Sequence, residues 1–417
     1  MDEQEKIVSE YCRGNGVFAG ENPKGRHQWV YRHKPDNLYR INSLVKPESA
    51  DYVLADWDIF QATKYYPILL KEWFYAVKVG GFIIITVQSE QIIKELKGLV
   101  SRFFPKQALK IVKEEKTQKE TIFVIEKTRP ALAANDTMDS WTFGMITRGQ
   151  RNHNVEMILQ TIRNLGVPHY EIIICGTYFD RKEPDFCYIH FSEKDDKGWI
   201  TKKKNIIAEN SRYENIVIGH DRLLYTPGWY EGMKKYGNYF DALSCEMVIK
   251  GTNFRTFDWC LHSYDLKAPA QSWPFLTASH RGMHQTVMGL YDDDWDYRAV
   301  MTGSVGIFKR SLWKVVPWNE DYFWNQDEDA EISRRIWKEG AIVRFNPYSK
   351  LETLSWRHSL VSLAKRNPKE LEMRFDPDPW PYKLYNAKFY AKLRWQHFKQ
   401  RQKTRIKKFC QVHNIKI

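Results

Sequence analysis

The chain has 417 residues, room for two or three folding units at about 150 residues each, and needs neither disulfides nor a structural metal to bury a core. Its six cysteines form no C-x-x-C pair and show no ligand-like spacing, which argues against a disulfide scaffold or zinc module and predicts a reducing compartment. The net charge of +13 is local: eleven basic residues and no acid follow Asp378, and subtracting those 11 leaves a body near +2.

No basic stretch leading into an apolar run opens the sequence, so no signal peptide is expected. The longest apolar runs, such as 82–87, fall far short of the roughly 20 residues a membrane span needs, and a soluble cytoplasmic protein is expected. Residues 1–130 read as a small α/β unit. Asp51-Tyr-Val-Leu-Ala and Gly81-Phe-Ile-Ile-Ile-Thr-Val are strand-type runs, and Ile68, Leu69, Trp73, Phe74 and Val77 repeat at helical spacing between them. Lys78-Val-Gly-Gly is a helix stop, and 121–126 makes a last strand. The polar, small-residue stretch 131–140 reads as a linker.

A second unit, 141–378, opens with a strand over 141–146 and the polar turn Thr147-Arg-Gly-Gln. A helix follows with Val155, Ile158, Leu159, Ile162 and Leu165 on one face, ended by Gly166. Then come a strand (171–175), a helix around 203–209 and a buried strand (215–218), the alternation of crossover units on a parallel sheet. An aromatic stretch over 250–300 interrupts the pattern. Regular structure resumes with Thr302-Gly-Ser-Val-Gly-Ile-Phe and a helix over 327–339, stopped by Gly340. Residues 379–417 form a basic, aromatic tail read as helical.

Ligands of open α/β sheets bind beyond the carboxyl ends of the strands, so the polar residues just after each strand are the candidates. These are Thr147-Arg148, Gly176-Thr177, Gly219-His220-Asp221-Arg222 and the acidic run Asp327-Glu328-Asp329. Asp221 either ligates a hard divalent ion or caps a turn. The acids at 327–329 suit a helix N-terminus through its dipole, which leaves room for a general base at the same place.

Ordered segments of the second unit resemble the family 2 nucleotide-sugar glycosyltransferases, whose core is the GT-A fold. They are Glu171-Ile-Ile-Ile-Cys, Lys203-Lys-Asn-Ile-Ile-Ala, the strand at 216–219 with His220-Asp221 and Pro227, Gly303-Ser-Val-Gly-Ile-Phe-Lys-Arg, and Asp327-Glu-Asp with Arg334, Arg335 and Gly340 downstream. The resemblance implies inverting transfer of a sugar from a nucleotide-sugar donor to a glycan or lipid-linked glycan. Asp329 would be the general base and Glu328 a hydrogen-bond partner of the acceptor. Thr147, Arg148, Lys204, Asp221 and Arg222 would hold the donor. Gly303 and Trp295 would lie on the acceptor side, Trp259, Tyr264 and Trp273 being further rings that could pack on sugars.

A divalent metal, manganese or magnesium, is implied at Asp221 and His220, with His358 as a late ligand. The first acid of the family's Asp-x-Asp is Gly219 here, so either His220 joins the metal or a cation such as Arg222 replaces it. Cys175-Gly-Thr-Tyr stands where the family has an acidic turn. Asp292-Asp-Asp-Trp-Asp is read as a solvated or acceptor-facing loop.

In the first unit, Ala50-Asp-Tyr-Val-Leu-Ala and 70–85 resemble the later half of a class I methyltransferase, with Gly14-Asn-Gly16 as its closest equivalent of the methyl-donor loop. The unit is read as an inactive, Rossmann-like scaffold. The tail interleaves cations with Tyr385, Phe389, Trp395 and Phe398, a pattern for peripheral binding to an anionic cytoplasmic membrane face rather than to nucleic acid. The other readings are a SAM-dependent glycan methyltransferase with a sugar-binding second unit, and a non-catalytic binding module.

Overall fold

The computed structural model describes residues 3–32 apart from Lys24, 45–55, 66–88, 108–117, 120–130, 137–192, 198–252, 299–324 and 327–354, with shorter stretches between them. Helix α1 (Glu3–Tyr11) precedes strands β1 (Gly16–Ala19), β2 (Trp29–Tyr31) and β3 (Ala50–Ala55). Helix α2 (Tyr66–Ala76) leads directly into β4 (Val77–Val87), and β5 (Leu109–Lys116) and β6 (Thr121–Lys127) complete a six-stranded sheet in the order β2-β1-β3-β4-β6-β5. The first four strands are parallel and β6 runs against both its neighbours.

The helix stops at Ala76, next to the expected stop at 78–81, and the chain runs straight on as a strand. Lys127 of β6 holds this end: it donates from Nζ to the carbonyls of Phe74 and Val77, each at 2.7 Å, where the helix dipole is negative. Burial lowers the Lys127 pKa from the ordinary lysine range, opposed by its ion pair with Glu48 at 2.8 Å.

The second sheet is built from β7 (Ser140–Thr147), helix α3 (Asn152–Arg163), β8 (His169–Gly176), β9 (Phe186–His190), helix α4 (Ile200–Asn210) and β10 (Asn215–His220). β11 (Leu223–Tyr225), helix α5 (Trp229–Tyr236) and β12 (Ala242–Ile249) follow. β13 (Trp259–Ser263), β14 (His284–Val287) and β15 (Ala299–Met301) pair as a small antiparallel sheet. The chain then returns through β16 (Val305–Lys309), helix α6 (Arg310–Val315), helix α7 (Glu328–Lys338) and β17 (Val343–Thr353). The large sheet has the order β11-β17-β12-β16-β10-β7-β8-β9. Strands β10, β7, β8 and β9 are parallel, as the alternating pattern predicts, while β16 lies antiparallel between β10 and β12. Helix α3 buries Val155, Ile158, Leu159 and Ile162, the face read from its periodicity.

The two sheets share a core in which Trp73 of α2 belongs with Tyr239, Trp259, Trp295 and Phe345. Residues 67–77 are all buried because α2 lies between its own sheet and the second one. Its polar side chains are therefore paired across the seam. Glu72 forms a buried ion pair with Arg344 of β17, and Tyr75 donates its hydroxyl to Asp241 at 2.7 Å. Lys71 lies 3.3 Å from the other oxygen of Asp241. A cavity of about 230 Å³ opens beside Lys71, Tyr75 and Asp241.

Candidate active site

The polar residues expected to bind a ligand gather where β7, β10 and the β15–β16 turn end. Thr147, the last residue of β7, donates its hydroxyl to Asp221 Oδ2 at 2.8 Å and accepts from the Gly149 N–H at 3.1 Å. Asn154, in the first turn of α3, donates to the Asp221 carbonyl at 3.1 Å, and Arg151 Nη1 lies 3.6 Å from Asp221 Oδ1. The turn after β7 closes tightly: Gly149 has φ 75°, and a Cβ there would lie 2.9 Å from the Thr177 carbonyl oxygen. Arg222 follows Asp221 and donates from Nη2 to Ser304 Oγ at 2.8 Å.

Helix α4 supplies two buried lysines to the same place. Lys203 donates from Nζ to the Thr147 carbonyl at 3.2 Å, steadying the turn. Lys204 bonds the Gly303 carbonyl at 3.1 Å and Glu328 Oε1 at 3.3 Å. Lys204, expected on the donor, therefore sits against the Glu328 carboxylate of α7.

Gly303 joins the two halves. Its N–H donates to Asp329 Oδ2 at 2.8 Å, and its carbonyl lies 3.0 Å from His220 Nε2. A Cβ at 303 would stand 2.7 Å from Glu328 Oε1 and 3.1 Å from Asp329 Oδ2, so glycine is what lets the acids of α7 approach this turn. Asp329 Oδ1 also accepts the Ala330 N–H at 2.9 Å. Burial is the main cause that raises the Glu328 pKa to about 7; Lys204 opposes it and the neighbouring Asp329 charge adds to it. Asp329 remains partly exposed, while Glu328 is buried at 6 % exposure. The acids in the first turn of α7 also answer its dipole, the structural role read from the run.

His220 and Asp221 fit a divalent ion poorly. A ring nitrogen facing a carbonyl must carry the proton, so His220 Nε2 is a donor and only Nδ1 could ligate an ion. Burial holds the His220 pKa well below the ordinary histidine value, reinforced by Arg222, Lys204 and Lys203 and opposed by the Gly303 carbonyl. The Asp221 oxygens are taken up by Thr147 and Arg151. Gly219 offers no carboxylate, and Leu223 Cδ1 lies 3.1 Å from where its Cβ would be. Among the described residues no three His, Cys, Asp or Glu side chains come together as a metal-holding group.

Trp295 and Trp259 lie in the core rather than on an acceptor surface. Trp295 is 1 % exposed and donates its indole N–H to the Val343 carbonyl at 2.8 Å; Trp259 is fully buried and stacks on Phe345. Arg148 is exposed just beyond Thr147. His358, Tyr264, Trp273, the four aspartates at 292–296 and the basic tail apart from Gln402 lie outside the described residues. The residues that sequence reasoning missed are Arg151, Asn154, Lys203 and Ser304. Their signal was proximity alone, since each is within six residues of a predicted position, and no periodicity marks a side chain that supports another.

In the first unit, Gly14-Asn-Gly16 leads into β1, whose first residue is Gly16, rather than following it. A Cβ at Gly14 would meet the Asp51 carboxylate at 2.4 Å, and one at Gly16 the Tyr52 ring at 1.8 Å, so side chains of β3 occupy the space beside these glycines. The segment therefore does not stand where a methyl-donor loop was expected.

No protein-family model matches the sequence, and no curated protein does. Two of the solved structures that match this chain do so over about half of its length. One is a crystal structure of GalNAc-T7 with UDP, GalNAc and Mn2+, at 11 % identity and TM-score 0.38, the match covering 52 % of this chain and 44 % of that one. The other is S. aureus TarS 1-349, at 10 % identity and TM-score 0.32, covering 51 % of this chain and 60 % of that one.

Proposed function

We propose that the chain is a nucleotide-sugar glycosyltransferase of the GT-A type. The observation that carries this reading is the joining, through Gly303, of a donor-side group (Thr147, Asp221, Arg222) to the carboxylates Glu328 and Asp329 at the strand ends. Strand ends of this kind are where open α/β sheets bind ligands, and a carboxylate beside a cationic cluster has the two functions that glycosyl transfer needs.

In this reading Asp329 takes the proton of the acceptor hydroxyl. Two backbone N–H groups hold its carboxylate in place while its partial exposure leaves it within reach of an acceptor. Glu328, braced by Lys204, orients the acceptor. One base and no enzyme nucleophile give inversion at the anomeric carbon. The first unit serves as a scaffold, a role supported by the Glu72–Arg344 and Tyr75–Asp241 contacts that bind α2 to the second sheet. The basic tail would bring the enzyme to an anionic membrane face carrying a lipid-linked glycan. Among the described residues no helix is long and apolar enough to cross a membrane.

The test is release of a nucleoside diphosphate from each common nucleotide sugar, alone and with lipid-linked or free glycans. Turnover of one donor is expected. Binding of S-adenosylmethionine, with no response to any nucleotide sugar, would sink the reading.

A further inference from the structure

Resting on the glycosyltransferase reading above, we propose that Arg151 and Arg222 bind the donor's diphosphate directly and that this site works without a divalent ion. Arg151 faces the Asp221 carboxylate, and Arg222 is the residue that follows it in the chain. Arg151, at the start of α3, lies 3.6 Å from Asp221 Oδ1 with its side chain 45 % exposed, a loose ion pair that an incoming phosphate can displace. Arg222 is fixed by its 2.8 Å bond to Ser304 Oγ at the end of the neighbouring antiparallel strand. Planar guanidinium forks match phosphate oxygens in pairs, which a single point charge does not.

Charge points the same way. Around these strand ends stand Arg148, Arg151, Lys203, Lys204 and Arg222 against Asp221, Asp327, Glu328 and Asp329: five cations and four carboxylates when all are ionised. The cations are thus not outnumbered, and an anionic diphosphate meets a site whose charge already opposes its own. Asp221 already accepts from Thr147 and faces Arg151, and Gly219 offers no second carboxylate, so a dication would find few protein oxygens here.

During transfer the acceptor oxygen bonds to the anomeric carbon as the bond from that carbon to the phosphate oxygen breaks. The electron pair leaves on the diphosphate, which gains one negative charge, and the hydroxyl proton passes to Asp329. The arginine pair meets that added charge at the moment it develops.

The experiment is calorimetry of the full chain against UDP, GDP, ADP, CDP and dTDP, in excess EDTA and again in excess manganese. One diphosphate is expected to bind with the same affinity in both. Arg151→Ala and Arg222→Lys should each weaken it about tenfold or more, with an unchanged circular dichroism spectrum. Arg151 is exposed enough that its variant alone carries the test if the second fails to fold. Binding only with manganese, or about tenfold tighter with it, overturns the inference and leaves the glycosyltransferase reading standing. Unchanged affinity in the arginine variants overturns it as well. If no diphosphate binds under either condition, the functional reading falls and the inference with it.

Discussion

Replacing Asp329 by asparagine tests the proposed base, and should separate turnover from binding. The carboxylate accepts two backbone N–H groups, from Gly303 at 2.8 Å and Ala330 at 2.9 Å, and an amide can accept with its single carbonyl oxygen while turning its NH2 toward the other donor. One such bond to a charged group contributes about 1.5–3 kcal/mol, the upper end being reduced here because Asp329 is partly exposed. The variant should therefore fold, with a modest loss of stability. Loss of the base itself should lower kcat by about a hundred- to ten-thousandfold. Asp221 and Arg222 contact neither α7 oxygen in the bonds described, so the nucleoside diphosphate Kd should be unchanged. The assay is single-turnover diphosphate release beside calorimetric binding. Turnover within about threefold of the parent would refute Asp329 as base, and a parallel loss of nucleotide affinity would show that the residue supports the donor instead. Glu328→Gln is the paired control: a large fall in kcat there, with Asp329→Asn nearly silent, would move the proton to Glu328.

Four further outcomes are expected. Gly303→Ala puts a carbon 2.7 Å from Glu328 Oε1, so turnover should collapse while far-ultraviolet circular dichroism holds; normal kcat would mean that the acids need not approach this turn. Because folding raises the Glu328 pKa from 4.5 to about 7, the folded state binds that proton more tightly. Stability should then decline as pH rises through this window, by up to about 3 kcal/mol, and Glu328→Gln should remove that component in urea titrations at pH 5 and pH 8; an identical pH dependence in the variant contradicts it. Arg344→Met leaves Glu72 buried without its ion-pair partner and should cost about 3–5 kcal/mol by chemical denaturation, largely recovered when Glu72→Leu is added; no recovery would mean that the pair does not act as a unit. Truncation after Asp378 should release the protein from anionic vesicles, since each basic residue near such a surface contributes about 1 kcal/mol; equal binding of both forms would locate the membrane contact elsewhere.

Local patterns made parts of this protein legible before any coordinates. Helix α3 announced itself by the spacing of Val155, Ile158, Leu159 and Ile162, and β7, β8 and β10 by apolar runs bounded by polar turns. The candidate positions Thr147 and Asp221 followed because they stand at the ends of β7 and β10, and Glu328 and Asp329 because they open a helix. Neither β12 nor β17 was found, since β17 alternates toward polar residues and its pairing with β12 joins residues about a hundred positions apart. Helix α2 was visible, but its burial on every side was not, because the covering surface belongs to the second sheet.

The sequence by itself determined the alternating α/β pattern, the separation of charge into a near-neutral body and a basic tail, and the polar residues at strand ends. Those features depend on neighbours a few positions away. The tertiary structure alone decided what these residues do to one another. It set Trp295 in the core, turned Lys204 toward Glu328, committed His220 to the Gly303 carbonyl and surrounded Asp221 with partners other than a metal. Each of these is a contact between distant segments, fixed by sheet order and by the room that glycine leaves at position 303.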